Sequence, residues 1–251
     1  MKPPRALLAV LLLAGCNRPE PVPADPIERL PPEFQAALSG NEWVSETRDH
    51  LLAVARRQDI LSDAAAQADF ALSLLHHRFH VPPAPNKIHL LVVPTETFDA
   101  LVAGAREKGA NAVTLGTSIV VREGVDRVKG LDAICHEAVH SFCAASLDPR
   151  PPLWLEEGLA VHWGRQLAAE LHRSRGLEVK ERTLEITGPD YDITVLTDYP
   201  TDPAQLQSFH ARCAKQVGEL EAATGPEGLP ALVRAISREP ARWRELLPKG
   251  R

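Results

Sequence analysis

The stretch CHEAVHSFC, residues 135–143, constrains this chain more than any other. Two histidines four apart share one face only on an α-helix, about 6 Å from each other, where His136 and His140 can aim ring nitrogens at one ion. Glu137 then projects beside the pair and reaches a water bound to that ion. H-E-x-x-H on a helix is the spacing of zinc hydrolases, with the glutamate as general base. The pattern predicts a helix over about 130–145, which LDPRPP breaks. LWLEEGLAVHWGRQLAAELHRSRG then predicts a long helix ended by Gly176, and its first turn carries Glu156 and Glu157. A catalytic zinc takes three protein ligands and keeps a position open for water. Either glutamate is on hand as the third ligand. Cys143, at i+7 from His136, is a rival that leaves both glutamates unexplained. The plain alternative is a structural helix with no metal at all.

A second pair shows why spacing alone is weak. HHRFH gives His76 and His80 the same i, i+4 relation, but no glutamate follows the first. The pair sits where a helix is predicted to end, and the helix dipole favours an imidazolium there. It reads as a solvated helix end.

The rest of the chain reads as alternating helices and short strands. Its 251 residues, 44% hydrophobic, suffice for a sizeable core in one large domain or two small ones. Charges are 28 basic and 33 acidic, a formal -5, without long blocks of one sign, which excludes a nucleic-acid surface. From Asn41 to His80 apolar residues recur at helical spacing, predicting two helices with a break near Asp59 to Ser62, the second ended by VPPAP. This makes residues 34–86 a helical lead-in to a main domain over 87–251. KIHLLVV at 87–93 predicts a buried strand, PTETFDALVAG a short helix ending at Gly104, and NAVTLGTSIVVRE two strands around Gly116. Residues 177–204 have turn and strand character. Gln205–Thr224 and Gly228–Arg238 read as helices. Trp154 and Trp163 read as core aromatics, with a place in a substrate cleft as the alternative.

MKPPRALLAVLLLAGC begins with Lys2 and Arg5, continues through an apolar run from Ala6 to Ala14 and exits through small residues, the build of a signal peptide. The run is far short of the roughly 20 residues that cross a bilayer as a helix. LAGC resembles the lipobox of bacterial lipoproteins. That resemblance implies a signal peptide over 1–15 and a lipid on Cys16, the membrane contact of the mature chain. Asn17, rather than an aspartate, implies an outer-membrane anchor facing the periplasm. Residues 16–33, dense in Pro and charge, are expected to form an extended tether. An exported chain meets an oxidising compartment. Cys135 and Cys143 on one helix stand about 12 Å apart, beyond the roughly 7 Å that a disulfide spans. Cys213 paired with Cys135 or Cys143 is one expectation; three buried free thiols is the other.

H-E-x-x-H followed by WLEEGLA at 154–160 resembles the gluzincin metallopeptidases, above all the peptidase MA-like group and more distantly the M1 aminopeptidases. The resemblance covers about Lys87 to Leu247. It implies an α+β, zincin-like metallopeptidase domain: a small mixed sheet packed on an active-site helix, with a mainly helical C-terminal part. It implies Zn2+ held by His136, His140 and Glu157, the glutamate directly before the glycine, with Glu137 as base and a peptide or protein as substrate. Gly158 is expected to let the two site helices approach. Two departures stand out. Thermolysin-like members place an acidic residue four after the ligand glutamate to orient a histidine, and here that position is Val161, so another partner is required. Aminopeptidase-like members stabilise the oxyanion with a tyrosine, and Tyr191 and Tyr199 match no motif; both read as loop or packing residues, with His210 a further candidate. A silent zinc-binding or interaction module on the same fold is the alternative function. Oligomeric state stays open.

Overall fold

All six residues of IHLLVV, Ile88–Val93, are buried, as they must be in a strand covered on both faces. The computed structural model describes residues 26–39, 42–83, 88–103, 110–178, 184–188 and 190–246. Its strands are β1 (Val44–Thr47), β2 (Leu51–Ala55), β3 (Ile88–Val93), β4 (Ala112–Leu115) and β5 (Ser118–Arg122), joined in one mixed sheet of order β1-β2-β3-β5-β4. The three central strands are parallel, and the two edge strands run antiparallel to their neighbours. Gly116, at φ 62°, makes the tight β4–β5 turn in a conformation that costs glycine little.

Helices cover both faces. α1 (Pro32–Leu38) and α3 (Thr95–Leu101) close one side, where Phe34, Leu38 and Phe98 meet Leu52, Val54, Leu91 and Val93. α2 (Gln58–Phe79) and α4 (Arg127–Ser146) close the other, against Leu51, Ala53, Leu90, Val92 and Ile119. α5 (Leu153–Ser174), α6 (Pro203–Thr224) and α7 (Leu229–Arg238) extend this larger core away from the sheet. The expectation of a small mixed sheet with a mainly helical C-terminal part is met at the level of an α+β fold. Among the described residues no helix is long and apolar enough to cross a membrane.

Several expectations are corrected. The helical lead-in over 34–86 holds only in part, because 44–55 forms β1 and β2, and β2 pairs with β3. No domain edge therefore falls at residue 87. Leu51 to Ala55 is buried at every position, and a continuous apolar run of that kind fits helix and strand alike. α2 runs unbroken through 59–62. The tether is shorter than 16–33: Pro26–Arg29 is a 3-10 turn, and Leu30 and Phe34 are buried. Residues 1–25, with Cys16, and Gly104 lie outside the described residues. Among the described residues of 177–204 there is a 3-10 turn at Ile193–Val195 and no strand. The His76–His80 pair also divides. His80 is the left-handed cap of α2 and is exposed, whereas His76 is buried, with its Nδ1 3.1 Å from the Val81 carbonyl.

α5 lies between α4 and α6, and two glycines let it do so. A Cβ on Gly158 would stand 2.5 Å from the Cys213 carbonyl oxygen and 2.4 Å from Val217 Cγ2, both on α6. A Cβ on Gly164 would stand 3.0 Å from His136 Cα, on α4. Gly158 thus serves the contact with α6, and Gly164 is the glycine that permits close approach of the two histidine- and glutamate-bearing helices.

Candidate metal centre

α4 places His136 and His140 one turn apart, and the first turn of α5 places Glu157 against them. The Nε2 atoms of the histidines are 3.2 Å apart. Glu157 Oε1 lies 3.2 Å from His140 Nε2, and its Oε2 3.9 Å from His136 Nε2. Among the described residues these three form the group whose ligand atoms all fall within 4.8 Å of one another. Ligands about 2.0–2.2 Å from a tetrahedral zinc are roughly 3.3 Å from each other, so the spacings fit such an ion.

The surroundings fix how the rings are used. His140 Nδ1 donates to Glu156 Oε1 at 2.8 Å, which leaves Nε2 as the inward atom. Glu156 is held by Arg150, with Nε on Oε2 at 2.7 Å and Nη2 on Oε1 at 2.5 Å. A carboxylate behind a histidine orients the ring and raises its basicity. Glu156 therefore takes the role for which Val161 offers no acid, and the two adjacent glutamates divide the work.

Charge follows from this packing. Burial and the neighbouring His140 push His136 down to about 3, so its ring is neutral with a lone pair to give. Burial works to lower His140, but the Glu157 and Glu156 carboxylates outweigh it and hold His140 well above the usual imidazole range. Burial likewise opposes the ionised Glu157, yet the charge and hydrogen bond of His140 keep it far below the usual carboxylate range. Glu157 is only 2% exposed, and its Oε2 has no hydrogen-bond partner. A buried carboxylate oxygen without a partner is costly unless a cation balances it. That orphaned atom, with two inward imidazole nitrogens beside it, fits a divalent metal with a preference for N and O ligands.

Three further side chains close in. Thr114, on edge strand β4, donates through Oγ1 to Glu137 Oε2 at 2.7 Å, with the Glu137 carbonyl at 3.0 Å. The Tyr199 hydroxyl donates to Glu157 Oε1. Burial and the Glu157 carboxylate raise the Tyr199 phenol well above its usual range, so it stays a donor. His210, on α6, brings Nε2 to 3.5 Å from Glu157 Oε2. The reading of Tyr199 as ordinary packing is thus corrected, and His210 is brought to the site. Tyr191 lies apart from it, under the Arg212 guanidinium at 5.1 Å.

The rivals fare differently. Cys143 is a buried free thiol outside the converging group. Cys135 and Cys213 are also buried and free, so neither expected disulfide is formed. Burial raises all three thiols. Trp154 and Trp163 are 1% and 0% exposed, which makes them core residues rather than cleft walls. No family model matches the chain, and no curated protein matches it.

Proposed function

We propose that this protein is a zinc metallopeptidase of gluzincin type, with a zincin-like domain, that hydrolyses peptide bonds at the cell envelope. The observation that carries the reading is the convergence of His136, His140 and Glu157 on one point, with the Glu137 carboxylate near enough to act on the charge of His140. Zn2+ held there would supply the Lewis acid that acidifies a water and polarises a carbonyl. Glu137 would take a proton from the attacking water and pass it to the amine that leaves as the amide C–N bond breaks. Thr114 occupies Oε2 of Glu137, which steadies the carboxylate for the transfer. Tyr199, by turning its O–H away from Glu157, and His210 are the candidate donors to a developing oxyanion. A peptide is the favoured substrate because β4 is an edge strand beside Glu137, and an extended chain can add to such an edge through its main chain. Cys16 is proposed to carry the lipid that holds the domain at the outer membrane, facing the periplasm.

Metal analysis by mass spectrometry, with turnover of an unstructured protein substrate, tests this. Near one zinc per chain is expected, lost in His136→Ala and Glu157→Ala; Glu137→Gln should keep zinc and lose turnover. Zinc indifferent to Glu157, or turnover that survives Glu137→Gln, would sink the reading.

A further inference from the structure

A cavity of about 640 Å³ opens between the segments 187–188 and 191–201 on one side and the first turns of α6 on the other. Tyr199 belongs to both places: its ring lines the cavity and its hydroxyl reaches Glu157. The cavity therefore begins one side chain away from the candidate metal ligands. Its walls include Tyr191, Leu196, Tyr199, Pro200 and Ala204, a surface that offers apolar and aromatic contact. The Ser208 hydroxyl in the lining is already spent, accepting from the Thr187 amide at 3.2 Å and donating to the Thr187 carbonyl at 2.7 Å. That pair ties the segment to α6. Arg212, outside the lining, sets its guanidinium over the Tyr191 ring and holds it in place. The cavity is thus preformed, within the size range of small-ligand sites at roughly 300–1,000 Å³, and has room for a whole aromatic ring.

We infer that this cavity is the specificity subsite of the metal centre and takes a bulky aromatic side chain of a peptide beside the bond to be cut. The inference rests on the peptidase reading for its substrate but not for its binding. A single methylene in an apolar pocket is worth about 10- to 200-fold in discrimination. A phenylalanine against a glycine should therefore separate by at least about tenfold.

The test is titration of the full chain, stripped of metal by chelation, with two blocked tetrapeptides, Ala-Ala-Phe-Ala and Ala-Ala-Gly-Ala, by NMR. Zinc-loaded protein is assayed on the same pair. Ala204→Trp and Thr201→Trp place an indole in the cavity from two exposed positions on its rim. The phenylalanine peptide should bind at least tenfold more tightly than the glycine peptide, and both variants should erase that difference while keeping zinc. Equal binding of the two peptides, or phenylalanine binding unchanged in both variants, overturns the subsite. Selective binding without hydrolysis by zinc-loaded protein upholds the subsite and overturns the peptidase reading alone.

Discussion

Glu156 and Glu157 are adjacent in sequence and opposite in duty. Glu157 faces the histidine nitrogens; Glu156 turns to the back of His140 and is gripped by Arg150. H-E-x-x-H was legible because its geometry is local: i and i+4 on any helix share a face. Which of two neighbouring glutamates faces the ligand point depends on the rotation of α5 against α4, and only the resemblance pointed to Glu157. Arg150 sits in a proline-rich break, Thr114 on a four-residue strand and Tyr199 in a stretch without periodicity, so no local pattern announced them. Orienting partners of this kind typically change metal affinity by about 10- to 100-fold. Glu156→Gln and Arg150→Ala should each weaken zinc binding within that range in chelator competition, without removing a ligand. An unchanged affinity in both would show that His140 needs no support from behind.

At the scale of elements, the site depends on how closely three helices lie. Glycine inside a helix ordinarily costs about 1 kcal/mol relative to alanine, so Gly→Ala should stabilise where space allows. At Gly158 space does not allow, because the nearest atoms include the Cys213 carbonyl of α6 at 2.5 Å. Overpacking of a core costs about 1–3 kcal/mol, which exceeds the helix gain. Gly158→Ala should lower the thermal midpoint. Gly164→Ala meets His136 Cα at 3.0 Å, a contact that a small shift relieves. It should leave stability nearly level and weaken zinc binding instead, because the shift is taken up by a ligand residue. Calorimetry and metal titration of the two variants separate these outcomes; a more stable Gly158→Ala chain would refute the packing argument. The same scale explains the misread strands. β3 and β2 both lack alternation, because both faces of the sheet are covered; β3 was still recognisable from its three β-branched residues after a proline-rich break, whereas LLAVA in β2 has only Val54.

For the molecule as a whole, a second polar junction locks α5 to α6. Glu221 accepts from His162 Nε2 at 2.7 Å and from Trp163 Nε1 at 3.0 Å. Burial works to raise the Glu221 carboxyl, but the hydrogen bonds from His162 and Trp163 lower it on balance. A folded-state value below the unfolded one stabilises the fold above the unfolded carboxylate pKa of about 4.3, and that stability is lost as pH falls through the folded value. The urea midpoint should therefore drop between about pH 5 and pH 3. Glu221→Gln should lower the midpoint at pH 7 and flatten that part of the curve. A parallel acid profile in the variant would assign the acid loss to other carboxylates.

The Glu157 oxygen that lacks a hydrogen bond also ties the fold to its surroundings. It lies where α4, α5 and α6 meet, so an ion seated there joins residues from separate helices in the folded chain and has no such site in the unfolded one. By mass action a free ion at a thousand times its dissociation constant adds about 4 kcal/mol to folding. Chelation should accordingly lower the unfolding temperature of the native chain and leave His136→Ala unmoved. A metal seated there would then be a cofactor of folding as well as of the proposed chemistry, and the lifetime of the protein would follow the supply of that ion.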